Sequence, residues 1–113
     1  MVNLHVKITG EENLELNIKG IKNNNEYKYL ENDITVVVKI SDKEVNIMRK
    51  CNDYNINLVF VENEDTISTY SVFGGRKKFL LNTRTNKLEI TDNSIIIEYD
   101  LEGNSFKYLL EVI

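Results

Sequence analysis

Proline and tryptophan are absent from the chain, and cysteine and histidine occur once each. A lone Cys51 excludes an internal disulfide and any zinc site built from several cysteines, so packing has to hold the fold. Without proline, one common way of blocking an exposed sheet edge is missing, which favours closing the sheet on itself instead. No apolar run approaches the length of a bilayer-crossing helix, and Met1 to Gly10 lacks the basic start, apolar run and small-residue cleavage site of a secretion signal. The expectation is a cytoplasmic protein with no membrane partner. Positive charge is also short. Fourteen Lys and Arg face eighteen Asp and Glu, a formal net charge of −4, so a polyanion is repelled on average and no nucleic-acid partner is expected. The six tyrosines and four phenylalanines do not change this, because stacking platforms need a cationic groove and most cations here are interleaved with acids.

What the chain does contain is ordinary globular balance, 42% hydrophobic and 28% charged residues over 113 positions. That length fits a single domain, residues 1–113, hiding roughly two thirds of the surface of the unfolded chain. Alternation dominates it. Val2, Leu4, Val6 and Ile8 share one face against Asn3, His5, Lys7 and Thr9, and Leu14, Leu16 and Ile18 repeat the rhythm after a turn. Ile34, Val36, Val38 and Ile40 follow, then Val45 and Ile47, then Ile56, Leu58 and Phe60. TISTYSVF, FLLNT, KLEI, SIIIEYDL and SFKYLLEVI complete the series, with EGN between the last two as a tight turn and NNN at Asn23 to Asn25 as a hairpin tip. Short polar turns leave no room for crossover helices, so successive strands pair antiparallel. The pattern predicts an all-β fold: a closed antiparallel meander barrel of eight to ten short strands.

The segments VNIMRKCNDYNINLVFVENEDTISTYSVFGG and NKLEITDNSIIIEYDLEGNSFKYLLEVI resemble an uncharacterised bacterial calycin-like barrel family that includes YwiB, a domain of unknown function. The likeness rests on the Arg-bearing strand at Ile47 to Lys50, the Leu-Val-Phe strand at Leu58 to Phe60, the corner at Phe73 and Gly74, and IEYDLE at Ile97 to Glu102. It runs from about Ile34 onward. One departure is Val72, where family members often have proline. The resemblance implies a closed, lipocalin-like barrel and no established activity. The Gly-x-Trp signature of lipocalins is missing, as is the helical lid of fatty-acid-binding barrels, so the analogy carries shape and not ligand.

The residues that invite chemistry are few. SVFGGRKKF (Ser71 to Phe79) has glycines and cations, but a phosphate loop has to run into a helix ending in Gly-Lys-Ser/Thr, and this one runs into a strand. It reads as a strand corner, with a small anion patch of Arg76, Lys77 and Lys78 as the sharper alternative. Arg49 stands out, because alternation puts it on the inward face with Val45, Ile47 and Cys51, where an arginine is costly unless paired. It either pairs with an internal carboxylate or clamps a ligand carboxylate, helped by Tyr70 or Tyr99. His5 falls among the polar positions of its strand and reads as a surface residue. Cys51, on the apolar face, reads as a small buried hydrophobe. The acidic run Glu62 to Asp65 lacks the spacing of a calcium loop and reads as a turn. No catalytic pair, metal triad or cofactor motif is discernible, so the reading is non-enzymatic: a barrel that binds a small, partly apolar or carboxylate-bearing ligand inside. The alternative is a packed barrel that works through its outer surface, with a protein partner or a second copy.

Overall fold

The computed structural model describes residues 1–11, 13–72 and 77–113. Ten strands follow one another along the chain: β1 (Val2–Thr9), β2 (Leu14–Asn23), β3 (Glu26–Glu31), β4 (Ile34–Ser41), β5 (Glu44–Lys50), β6 (Tyr54–Val61), β7 (Asp65–Val72), β8 (Lys78–Ile90), β9 (Ser94–Leu101) and β10 (Asn104–Val112). Each pairs antiparallel with its neighbours in sequence, and β1 pairs with β10 to close the barrel. The architecture is therefore the expected closed meander, at the upper end of the expected strand number. FLLNT and KLEI, which read as separate segments, form one thirteen-residue strand. A bulge between Thr85 and Lys87 breaks the alternation there, so that Leu88 faces Ile97 while Lys87 faces Glu98.

Turn chemistry sets the registers. Asn24, Asn32 and Asn63 adopt positive φ, as do Glu102 and Gly103 in the β9–β10 turn, and asparagine and glycine are the residues that tolerate this. The β9–β10 turn carries Glu102 outward, where its carboxylate accepts a hydrogen bond from the Asn82 backbone N–H.

The barrel interior is filled unevenly. Toward the end that holds both termini, Leu4, Val6, Tyr27, Val38, Val45, Phe60, Ile95 and Leu110 are buried and pack together. Each such side chain contributes about 1.5–3 kcal/mol when taken fully out of water. Lys22 covers this end, donating to the Asp92 carbonyl with its ammonium 5.5 Å from the centre of the Tyr27 ring.

Two seams interrupt the regular ladders. Between β6 and β7 the pairing runs only from Tyr54↔Val72 to Asn57↔Thr69. Beyond it hydroxyl groups take over: Ser68 Oγ accepts from the Val59 N–H at 3.1 Å, Thr66 Oγ1 donates to the Val59 carbonyl, and Ser68 meets Thr83 at 2.7 Å. Between β2 and β3 the described ladder ends at Ile21↔Lys28, although β2 continues back to Leu14. The two strands splay from there toward the opposite end, and that divergence positions the site.

Candidate ligand site at one end of the barrel

At the end away from the termini the splay leaves a cavity of about 380 Å³. Leu14 and Ile8 form its β1–β2 side, Ile47, Ile56 and Leu58 its β5–β6 side, and Leu101 and Phe106 its β9–β10 side. Tyr99 and Tyr108 also line it. Tyr99 stacks on Phe106 with ring centres 5.5 Å apart and tilts against Phe60 at 4.7 Å, so the Tyr99 ring lies between the cavity and the packed half. The Tyr108 hydroxyl meets the Tyr29 hydroxyl at 2.9 Å across the barrel. Among the described residues the Tyr99 hydroxyl has no hydrogen-bond partner. Burial pushes the phenols of Tyr29 and Tyr99 up to about 12, and that of Tyr108 well above the ordinary tyrosine value. All three are neutral donors at any physiological pH.

One ion pair sits in this wall. Arg49 lies on the inward row of β5, opposite Val36 on one side and Ile56 on the other. Its Nη1 donates to Glu31 Oε1 at 2.8 Å and its Nη2 to Glu31 Oε2 at 2.7 Å. The Glu31 side chain is 8% exposed and the Arg49 side chain 18%. Burial lowers the guanidinium pKa, and the paired carboxylate more than offsets it, so the net direction is upward. The pair leaves three of the five guanidinium N–H donors unused by Glu31. Chemically it offers a donor array beside an acceptor at no net charge.

The sequence-derived candidates separate in space. Arg49 and Tyr99 both line the cavity. Tyr70 sits at the rim, stacked on Tyr54 at 5.8 Å and tilted against Phe79 at 6.0 Å. The Tyr54 phenol is raised by burial, with Arg49 pulling the other way. Lys77 and Lys78 are exposed at the start of β8, while Arg76 and the corner Phe73 to Gly75 lie outside the described residues. Cys51 is half-buried just beyond β5 rather than buried within it. Among the described residues no group of three His, Cys, Asp or Glu side chains is placed to hold a metal ion.

One participant, Glu31, was not singled out from the sequence. Glu31 ends a strand whose inward positions are Tyr27 and Tyr29, so two tyrosines at spacing two were the available signal. His5 has partners that only the register reveals: Glu111 lies directly across from it on β10, at 2.8 Å from Nδ1, and Glu15 on β2 is 2.6 Å from Nε2.

Comparison with known proteins places the chain. Residues 2–109 match a domain of unknown function, DUF1934. The chain belongs to this family. Among solved structures it is similar to the YwiB protein from Bacillus subtilis, at 26% identity and a TM-score of 0.72, covering 98% of this chain and 89% of that one. No curated protein matches. The likeness extends over the entire barrel, including the first third of the chain.

Proposed function

We propose that this DUF1934 barrel is a non-enzymatic binding protein that holds one small, partly apolar molecule in the cavity between Leu14, Arg49, Tyr99 and Phe106. The observation that carries the reading is the cavity itself: about 380 Å³ of mostly apolar wall with a few convergent polar groups, the usual composition and size of a small-molecule site. Large aliphatic side chains are numerous enough to fill so small a barrel, yet toward the Arg49 end Ile8, Leu14, Leu101 and Phe106 stay only half-buried around the cavity.

The chemistry of the wall narrows the ligand. Arg49 is already engaged by both Glu31 oxygens, so a ligand carboxylate would have to displace a good bidentate partner. A neutral head group has no such cost. It can accept from the remaining guanidinium donors and from the Tyr99 hydroxyl, with its apolar body against Leu14, Leu58 and Phe106. A neutral hydroxyl- or carbonyl-bearing molecule with an apolar ring or short chain fits best.

Native mass spectrometry of protein isolated from its own host tests this. The expected result is a bound small molecule in the wild type that is lost in Leu14→Trp, which fills the mouth from a half-exposed position. Bare protein in both forms would count against the reading.

An outer-surface role has one observation in its favour: a chiefly apolar groove of about 510 Å³ over the β2–β3 seam, with Ile21 and Leu30 exposed. A second copy seated there would appear in the same spectra as a doubled mass and a different partner chain as its own added mass, either one unaffected by Leu14→Trp.

A further inference from the structure

Charge is distributed unevenly along this acidic chain. From Thr66 to Leu88 there is no Asp or Glu and there are five cations, leaving nine cations against all eighteen acids elsewhere. Of these five, Arg84 and Lys87 contact acidic neighbours. Lys77 and Lys78 have no ion-pair partner among the described residues and are exposed.

The same place shows apolar surface. Leu80 is 65% exposed and Phe79 49%. Geometry explains both: the β8–β9 ladder begins at Thr83↔Leu101, so Lys78 to Leu81 stand beyond the end of β9 by about 13 Å. On the other side β7 still supports them, with Tyr70↔Phe79 and Thr69↔Leu80 in register and the Val72 N–H donating to the Lys77 carbonyl at 3.1 Å. The projection is a supported ledge bearing two exposed ammonium groups, without ion-pair partners among the described residues, beside two exposed apolar side chains.

We propose that this ledge docks on an anionic lipid surface, with Leu80 and Phe79 entering the headgroup layer and Lys77 and Lys78 meeting lipid phosphates. Apolar residues that dip into an interface, flanked by lysines that find anionic headgroups, are the usual means of peripheral attachment. A bilayer fits better than a protein partner because the ledge offers projecting side chains rather than a groove into which a defined chain would fit. Its position also gives the docking a use, and here the inference rests on the ligand-binding reading. Phe79, Tyr70 and Tyr54 form a continuous aromatic row from the ledge to the Arg49 end of the barrel, a path by which an apolar molecule passes from lipid to cavity. Among the described residues no helix is long and apolar enough to cross a membrane, and lying against a surface requires none.

Sedimentation of the purified protein with vesicles tests the proposal, comparing phosphatidylcholine alone with phosphatidylcholine mixed with phosphatidylglycerol. The expected result is binding to the mixed vesicles only, weakened by salt, and reduced roughly tenfold or more in Leu80→Glu and in Lys77→Glu/Lys78→Glu. Leu14→Trp should bind vesicles as the wild type does, so loss of the cavity ligand and loss of docking are read separately. Circular dichroism checks that the variants fold, and the lysine pair decides if Leu80→Glu does not. No binding to mixed vesicles, equal binding to neutral ones, or full retention in folded variants would overturn the proposal.

Discussion

Arg49 and Glu31 show how one residue's cost becomes another's constraint. Neither charge is tolerable alone at this depth, and together they form two short charge-assisted hydrogen bonds. Removing one partner should therefore be worse than removing both. Arg49→Met is expected to destabilise by about 3 kcal/mol in urea unfolding, and Arg49→Met/Glu31→Leu to recover most of that loss. Equal stability of wild type and Arg49→Met would mean that Glu31 is not buried against it. His5 gives a prediction of different sign. Its hydrogen bonds to Glu15 and then Glu111 raise its pKa from 6.5 in spite of some desolvation. Because the folded value is the higher one, the contribution is fully present below pH 6.5 and is lost as the pH climbs through the raised value. Thermal unfolding midpoints of wild type should fall over that interval, and those of His5→Gln should fall less. Period-two alternation is enough to put Arg49 on the inward face of its strand. Its partner was not legible, because Glu31 is on β3, one strand beyond the neighbour of β5, and only the registers of β4 with both strands bring them together.

At the level of strands, the seams matter more than the ladders. Gly20 marks where β2 and β3 begin to part, and there is no room for a side chain there: an added Cβ would lie 2.5 Å from Leu4 Cδ1 and 2.8 Å from the Lys28 carbonyl oxygen. Gly20→Ala should cost about 1–3 kcal/mol by overpacking, measured by chemical denaturation. At the β6–β7 seam, Ser68→Ala removes the acceptor for the Val59 N–H and the partner of Thr83, for an expected loss of about 1–3 kcal/mol. Strand existence and inward faces were readable from period-two patterning. The seams were not, since a hydroxyl that replaces a ladder bond looks in sequence like any other serine or threonine. The bulge at Asn86 was misleading for a related reason: one extra residue reverses the alternation, and a single long strand then looks like two short ones.

For the whole molecule, the unequal filling of the barrel is the property from which function follows. Buried phenols give a global check. Tyr29, Tyr99 and Tyr108 have raised values because burial opposes the phenolate, so stability is unaffected below pH 10 and declines as the pH rises through about 12. A spectrophotometric titration should therefore show the phenols of Tyr29, Tyr99 and Tyr108 missing from the phenolate wave near pH 10 and appearing only with unfolding. That the barrel closes was legible in short, evenly spaced strands with polar turns. Where it leaves space was not, because volume depends on strand splay at Gly20, and composition alone allowed a filled interior. The central claim is that the space beside Arg49 and Tyr99 admits a neutral, partly apolar molecule. The most direct measurement is an NMR titration of the isotope-labelled protein with 2-naphthol. Saturable shifts confined to amides of Glu31, Arg49, Leu58, Tyr99 and Phe106, and abolished by Leu14→Trp, are predicted. Shifts restricted to the outer groove beside Ile21 and Leu30, or no saturable shifts at all, would contradict it.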